Sequence, residues 1–174
     1  CLLLTIGWRE SLVAALSIPL SFVIAFIGLY TSGNTINFVS LFALILAVGI
    51  LVDSAIVMVE GINRRMKEDE TIDKKTAALE NIHEFATPLI AGTLTTVSLF
   101  VGLFVVSGVI GQFIKSIPFT LIFLLFASLF VALAIVPLLA SVFLRRRSTT
   151  RLEKWQNASS RKLEAWYSGK LASI

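Results

Sequence analysis

Gly49-Ile50-Leu51-Val52-Asp53-Ser54-Ala55-Ile56-Val57-Met58-Val59-Glu60 is the stretch from which the fold class follows. It closes an apolar run that begins at Phe38, and residues 38–59 contain one charged residue, Asp53. A helix needs about 20 mainly apolar residues to cross the hydrocarbon. A strand with an open edge finds no partner for its backbone there, so only a helix fits. Residues 38–59 therefore read as a membrane-spanning helix. On either side of it, residues 12–30, 86–106 and 117–144 are three more such runs, the last long enough to tilt. Residues 1–7 read as the tail of an earlier, truncated span. The predicted fold class is all-α, a polytopic transmembrane helix bundle.

Composition agrees. Of 174 residues, 56% are hydrophobic and 15% charged, against about 45–50% and about 25% in soluble domains. The mean hydropathy is +0.88. These values exclude a disordered chain, a disulfide mini-protein and an ordinary cytosolic enzyme. The 15 Lys and Arg against 11 Asp and Glu read as basic flanks at a lipid surface. They do not read as a nucleic-acid groove, for which too little polar surface remains. The one cysteine, Cys1, allows no intramolecular disulfide. A lipidated Cys1 would lead into a polar tether. Here Leu2, Leu3, Leu4 and Ile6 follow, so the chain is expected to open part-way through a hydrophobic helix.

The loops set the orientation. Residues 31–34 carry no charge and residues 107–116 only Lys115. Arg64, Arg65, Lys67, Lys74 and Lys75 follow the second full span. Arg145, Arg146, Arg147, Arg151, Lys154, Arg161 and Lys162 follow the fourth. Basic and nearly neutral loops alternate in register with the spans, so the basic ones are predicted to be cytoplasmic. Between the second and third spans, Thr71 is expected to cap a short helix with Asp73 in its first turn. Ile72, Leu79, Ile82 and Phe85 would share one face of it. Residues 145–174 mix Arg and Lys with Leu152, Trp155, Leu163, Trp166, Tyr167 and Leu171, the pattern of a basic amphipathic helix on the cytoplasmic membrane surface. A solvated linker is the alternative there. Pro88 and Pro118 fall near helix beginnings, whereas Pro19 and Pro137 lie deep enough to kink their helices.

Asp53 is the one ionisable residue deep in an apolar run. It lies 15 residues beyond Phe38, or roughly 22 Å at about 1.5 Å per residue. A carboxylate at the centre of an inserting helix costs on the order of 2.5–3.5 kcal/mol. Low dielectric penalises the charged form of any carboxyl, and a nearby cation or entering water reverses this. Such a group can switch charge state, as a proton relay requires. The alternatives are a carboxyl that stays protonated, or one hydrogen-bonded across a helix interface for packing. Glu60 is expected to pair with Arg64 at the interface, one turn on. Thr93, Thr95, Thr96, Ser98 and Ser128 either bond to their own helices or line a polar seam. Gly28, Gly49, Gly92 and Gly102 are expected to allow close helix approach. His83 has no second ligand in the sequence around it. With no phosphate loop, Cys/His cluster or nucleophile–base spacing, neither an enzyme nor a metal or cofactor site is expected.

The stretch from Gly49 to Glu60 resembles the fourth transmembrane helix of the resistance-nodulation-division (RND) efflux pumps, whose motif reads approximately G-x-x-V-D-[D/x]-A-I-V-x-x-E-N. Trp8-Arg9 and Ile18-Pro19-Leu20 are similar to the turn between that family's second and third helices, and Ile36-Asn37 to the start of its fourth. Thr95-Thr96 and the run from Pro118 to Pro137 fit its fifth and sixth helices, and residues 151–171 the surface helix beyond. The resemblance implies a multi-pass permease of the bacterial inner membrane, driven by proton antiport and tied to multidrug resistance. It implies Asp53 as a proton-relay acid, with Ser54 at the position of the second acid of the multidrug branch and Asn37, Glu60 and Ser128 in support. One charge crossing about 150 mV gains roughly 3.5 kcal/mol, so one relay acid suffices energetically. The implied partners are the lipid bilayer, a second half of the same permease, further copies in a homotrimer, a periplasmic adaptor and an outer-membrane channel. Two alternatives remain: a membrane component that assists protein secretion, and an inactive truncated remnant.

Overall fold

Backbone groups in lipid must be satisfied within the chain, and the sequence answers with helices that outrun their apolar cores. In the computed structural model the described residues are 8–34, 36–69 and 71–143. The expected span tail over residues 1–7 and the expected surface helix over 145–174 lie outside them. Helix α1 runs Trp8–Thr31, α2 Phe38–Glu68 and α3 Lys74–Val101, which tightens into a 3₁₀ turn over Gly102–Val105. A short α4, Gly108–Ile114, leads into α5, Ser116–Phe130. A π-helical turn over Val131–Ile135 joins α5 to α6, Val136–Phe143. Among the described residues, four helical stretches are long and apolar enough to cross a membrane: Glu10–Thr31, Phe38–Glu68, Lys74–Val105 and Gly111–Phe143. No strand occurs among the described residues.

The helix ends have local causes. At the end of α1, Asn34 N–H donates to Leu29 O and Gly33 N–H to Tyr30 O, both at 3.1 Å. With Gly33 at φ +71°, this is a glycine-dependent C-terminal cap. Asn37 caps α2, its Oδ1 accepting from Ser40 N–H at 2.9 Å. Pro137 lacks the N–H that an α-helix would use. The turn before it widens instead, and Val136 N–H reaches back five residues to Val131 O.

The expected short helix capped by Thr71 does not form as a separate element. Asp73 takes the cap position, and α3 runs unbroken from Lys74 into the span. Pro88 is consequently interior, not near a helix beginning. Thr71 turns its hydroxyl to Asp69 Oδ1 instead, at 2.6 Å. Because the helix starts at Lys74, Ile72 is outside its phase. Ile72, Ile82 and Phe85 still pack on the core, but Leu79 is exposed.

Packing centres on α2, which touches α1, α3 and α5. Its buried stripe runs Ala43, Leu44, Ala47, Leu51, Ala55, Met58, Val59, Ile62 and Met66, at the spacing of one helix face. The stripe serves two apolar clusters. One contains Ala25, Ala43, Ala47, Leu51, Leu121 and Leu124. The other contains Val13, Ala55, Met58, Ile62, Ala77 and Val131. Alanines at these contacts let the helices approach closely. Helix α3 behaves differently: its buried residues are Ala77, Ala78 and Asn81, all near its beginning. None of the residues in its most apolar window is buried.

Close approach at glycine is more selective than the sequence suggests. Of the four glycines singled out, Gly28 alone meets a neighbour, Phe123, whose ring would lie 2.6 Å from an added Cβ. Gly49, Gly92 and Gly102 have nothing within 4 Å of such a Cβ. The tightest helix contact is at Gly61, against the amide of Asn81.

Candidate functional site

Two residues past Leu51 and two before Ala55, Asp53 points away from the buried stripe of α2, by roughly 200° of helix rotation from either. It is exposed, at the mouth of a cleft between three helices. From α2 the cleft receives Ile50, Asp53 and Ser54. From α3 it receives Pro88, Leu89, Gly92, Thr93 and Thr96, an i, i+1, i+4, i+5, i+8 pattern that presents one helix face. Leu125 and Ser128 of α5 close it. The cleft thus gathers one carboxyl and four hydroxyls within otherwise apolar walls.

Of the residues expected to form a site, the fold brings three together: Asp53, Ser54 and Ser128. Ser128 is buried and its Oγ donates to Leu51 O at 3.5 Å, a long contact that ties α5 to the Asp53 segment of α2. Asn37 is elsewhere. It stands about 24 Å from Asp53 along α2, where it caps the helix and donates from Nδ2 to Ser116 Oγ at 3.2 Å. Glu60 is about 10 Å from Asp53 toward the other end, is exposed, and does not line the cleft. Its expected partner Arg64 instead meets Glu68 at 3.7 Å and Glu84 at 3.6 Å. Starting at Lys74, α3 brings Glu84 alongside the end of α2 within reach of Arg64, whose other partner, Glu68, lies one turn further along α2 itself.

Arg65 completes that junction. Its Nη1 donates to Glu80 at 2.8 Å and its Nη2 to Glu84. Beneath it, Asn81 is fully buried against Gly61, and its Nδ2 donates to Met58 O at 3.1 Å. These residues lock the beginning of α3 to the end of α2. The sequence carries a signal for Asn81: it falls on the stripe Ala77, Ala78, Ile82 and Phe85. The pairing with Gly61 required the fold. Thr93 and Thr96 belong to the cleft although spacing alone left them between backbone bonding and a seam. Among the described residues no three His, Cys, Asp or Glu side chains gather as metal ligands would.

Comparison with known proteins gives the geometry a context. The profile of the AcrB/AcrD/AcrF family matches residues 2–174. The swarming motility protein SwrC of Bacillus subtilis (strain 168) is 34% identical over 142 residues, which is 81% of this chain and 14% of SwrC. The multidrug resistance protein MdtC of Proteus mirabilis (strain HI4320) is 31% identical over 137 residues, covering 79% of this chain and 13% of MdtC. MdtC of Pectobacterium atrosepticum is 30% identical over 150 residues, 84% of this chain and 14% of its own length. The chain therefore spans about one seventh of the length of these curated relatives.

Proposed function

This chain belongs to the AcrB/AcrD/AcrF family of RND permeases, and we propose that it forms part of the membrane domain of a proton-driven efflux transporter, with Asp53 as the group that takes up and releases the proton. The observation that carries this reading is the placement of Asp53: a carboxyl midway along a helix long and apolar enough to span the membrane, opening into a cleft walled by three helices and ringed with hydroxyls. A carboxyl meant only for packing would be spent on a buried neighbour, whereas this one faces a space that water or a cation can enter. Neutralising it lowers its cost in lipid, which gives its protonation state leverage over how the helices sit.

In this reading the chain lies in the bacterial inner membrane with its basic loops in the cytoplasm. Another part of the same permease covers the Asp53 face and the unburied span of α3. A homotrimer working with a periplasmic adaptor and an outer-membrane channel would carry substrate onward. The test is Asp53→Asn in the full-length transporter that carries this segment. Efflux should fall to background while membrane insertion and protein level stay unchanged, and Asp53→Glu should retain part of the activity. Normal efflux by the Asn variant would remove Asp53 from the mechanism.

A further inference from the structure

Hydroxyls on helices that cross lipid ordinarily donate to a carbonyl one turn back on their own helix. Most of this chain obeys: Ser17 to Ala14 O, Ser21 to Ser17 O, Thr95 to Ala91 O, Thr96 to Gly92 O, Ser98 to Leu94 O and Thr120 to Ser116 O, all at 2.6–3.0 Å. Ser54 and Thr93 do not. Neither makes a hydrogen bond among the described residues, and both line the cleft at Asp53. Thr87 also lacks one, but it stands at the start of its apolar run and is not in the cleft. In the cleft both hydroxyls are part-exposed, which leaves them to bond to water or to a neighbouring group. Two unspent hydroxyls and a carboxyl converge on a space of about 220 Å³, room for several waters. The wall is open beside them: a Cβ added at Gly92 would meet no atom within 4 Å.

We propose that Thr93 is a positioning residue for proton transfer at Asp53. This rests on Asp53 being the proton-carrying group. Thr93 Oγ1 accepts a hydrogen bond from one water in the cleft and donates to the next. When a proton enters the chain of waters, the hydroxyl takes it and passes its own proton on. Thr93 ends neutral, and the carboxylate of Asp53 ends protonated. On release the same exchange runs in reverse. A hydroxyl cannot store the proton as an acid would, but it can hold the water column in line. With Ser54 beside Asp53 on α2, Thr93 supplies the facing half of the path from α3.

The experiment compares Thr93→Val, Thr93→Ser and Asp53→Asn in the full-length transporter reconstituted in vesicles, with internal pH followed by a dye during transport. Thr93→Val keeps the shape and removes the hydroxyl. It should slow proton movement and transport about tenfold, equivalent to about 1.4 kcal/mol on the barrier. Thr93→Ser should stay within about twofold of the parent protein. If Thr93→Val matches the parent while Asp53→Asn is inactive, the role of Thr93 is overturned and that of Asp53 stands. If the Val and Ser variants are equally impaired, Thr93 acts through packing and the proposal fails. If Asp53→Asn is active, both readings fall.

Discussion

Among single residues, the least forgiving position is Gly61. Its Cα faces the fully buried amide of Asn81, and an added Cβ would lie 2.1 Å from Asn81 Oδ1. Gly61→Ala must push that amide away and break its bond to Met58 O. The expected loss is about 1–3 kcal/mol, measured as a lower melting temperature in detergent. Gly92→Ala is the control: the new methyl meets nothing, so the melting temperature should not fall, and alanine's higher helix propensity, worth up to about 1 kcal/mol, should raise it slightly. A larger side chain at the same place separates stability from function. Gly92→Leu fills the cleft beside Thr93 and Asp53, and should leave insertion intact while transport drops. Transport at the parent rate in the Gly92→Leu variant would show that the cleft is not on the path.

Among the elements, the junction of α2 and α3 is the feature with most consequence. Helix α2 continues past its apolar run to Glu68 because Arg64, Arg65 and Lys67 suit the negative end of its dipole and because α3 returns alongside it. The Arg65 side chain is 24% exposed, while Glu80 and Glu84 are 49% and 42% exposed. Solvent screens pairs of that kind, and each is worth at most about 1 kcal/mol. The contribution of Arg65 is that it engages both acids at once. Arg65→Gln should lower stability by about 1 kcal/mol. Adding Glu84→Gln should cost little beyond the exposed Arg64–Glu84 contact at 3.6 Å, because the Arg65–Glu84 interaction is already gone. Fully additive losses in melting experiments would show that the pairs act separately. High salt should shrink the effect of Arg65→Gln.

Taken together, the helices make a well-packed pillar, α2 with α1 and α5, carrying a helix, α3, that is anchored at its beginning and uncovered along its span. The Asp53 cleft lies where the packed and the uncovered parts meet. Charge alternation predicts the sidedness. With Cys1 replaced, a cysteine at Asn34 or Ser107 should react with an impermeant thiol reagent added outside whole cells. A cysteine at Thr71 should react only after the membrane is opened. Labelling of Thr71→Cys from outside would invert the topology.

Four helices able to span a membrane and the acid within one of them were legible because each rests on a one-dimensional property: apolar length against bilayer thickness, and a lone charge in an apolar run. The stretch from Gly49 to Glu60 also carried the family. Partners across helices were not legible. Arg64 chose Glu68 and Glu84 over Glu60, Asn81 packed into Gly61, Asn37 became a cap, and only Gly28 of the four expected glycines met another helix. Such choices depend on where α3 starts and how it is rotated against α2, and that is settled by the fit of many side chains at once. The cleft is of the same kind. Asp53, Ser54, Thr93 and Ser128 lie on three helices, and only packing turns them toward one space.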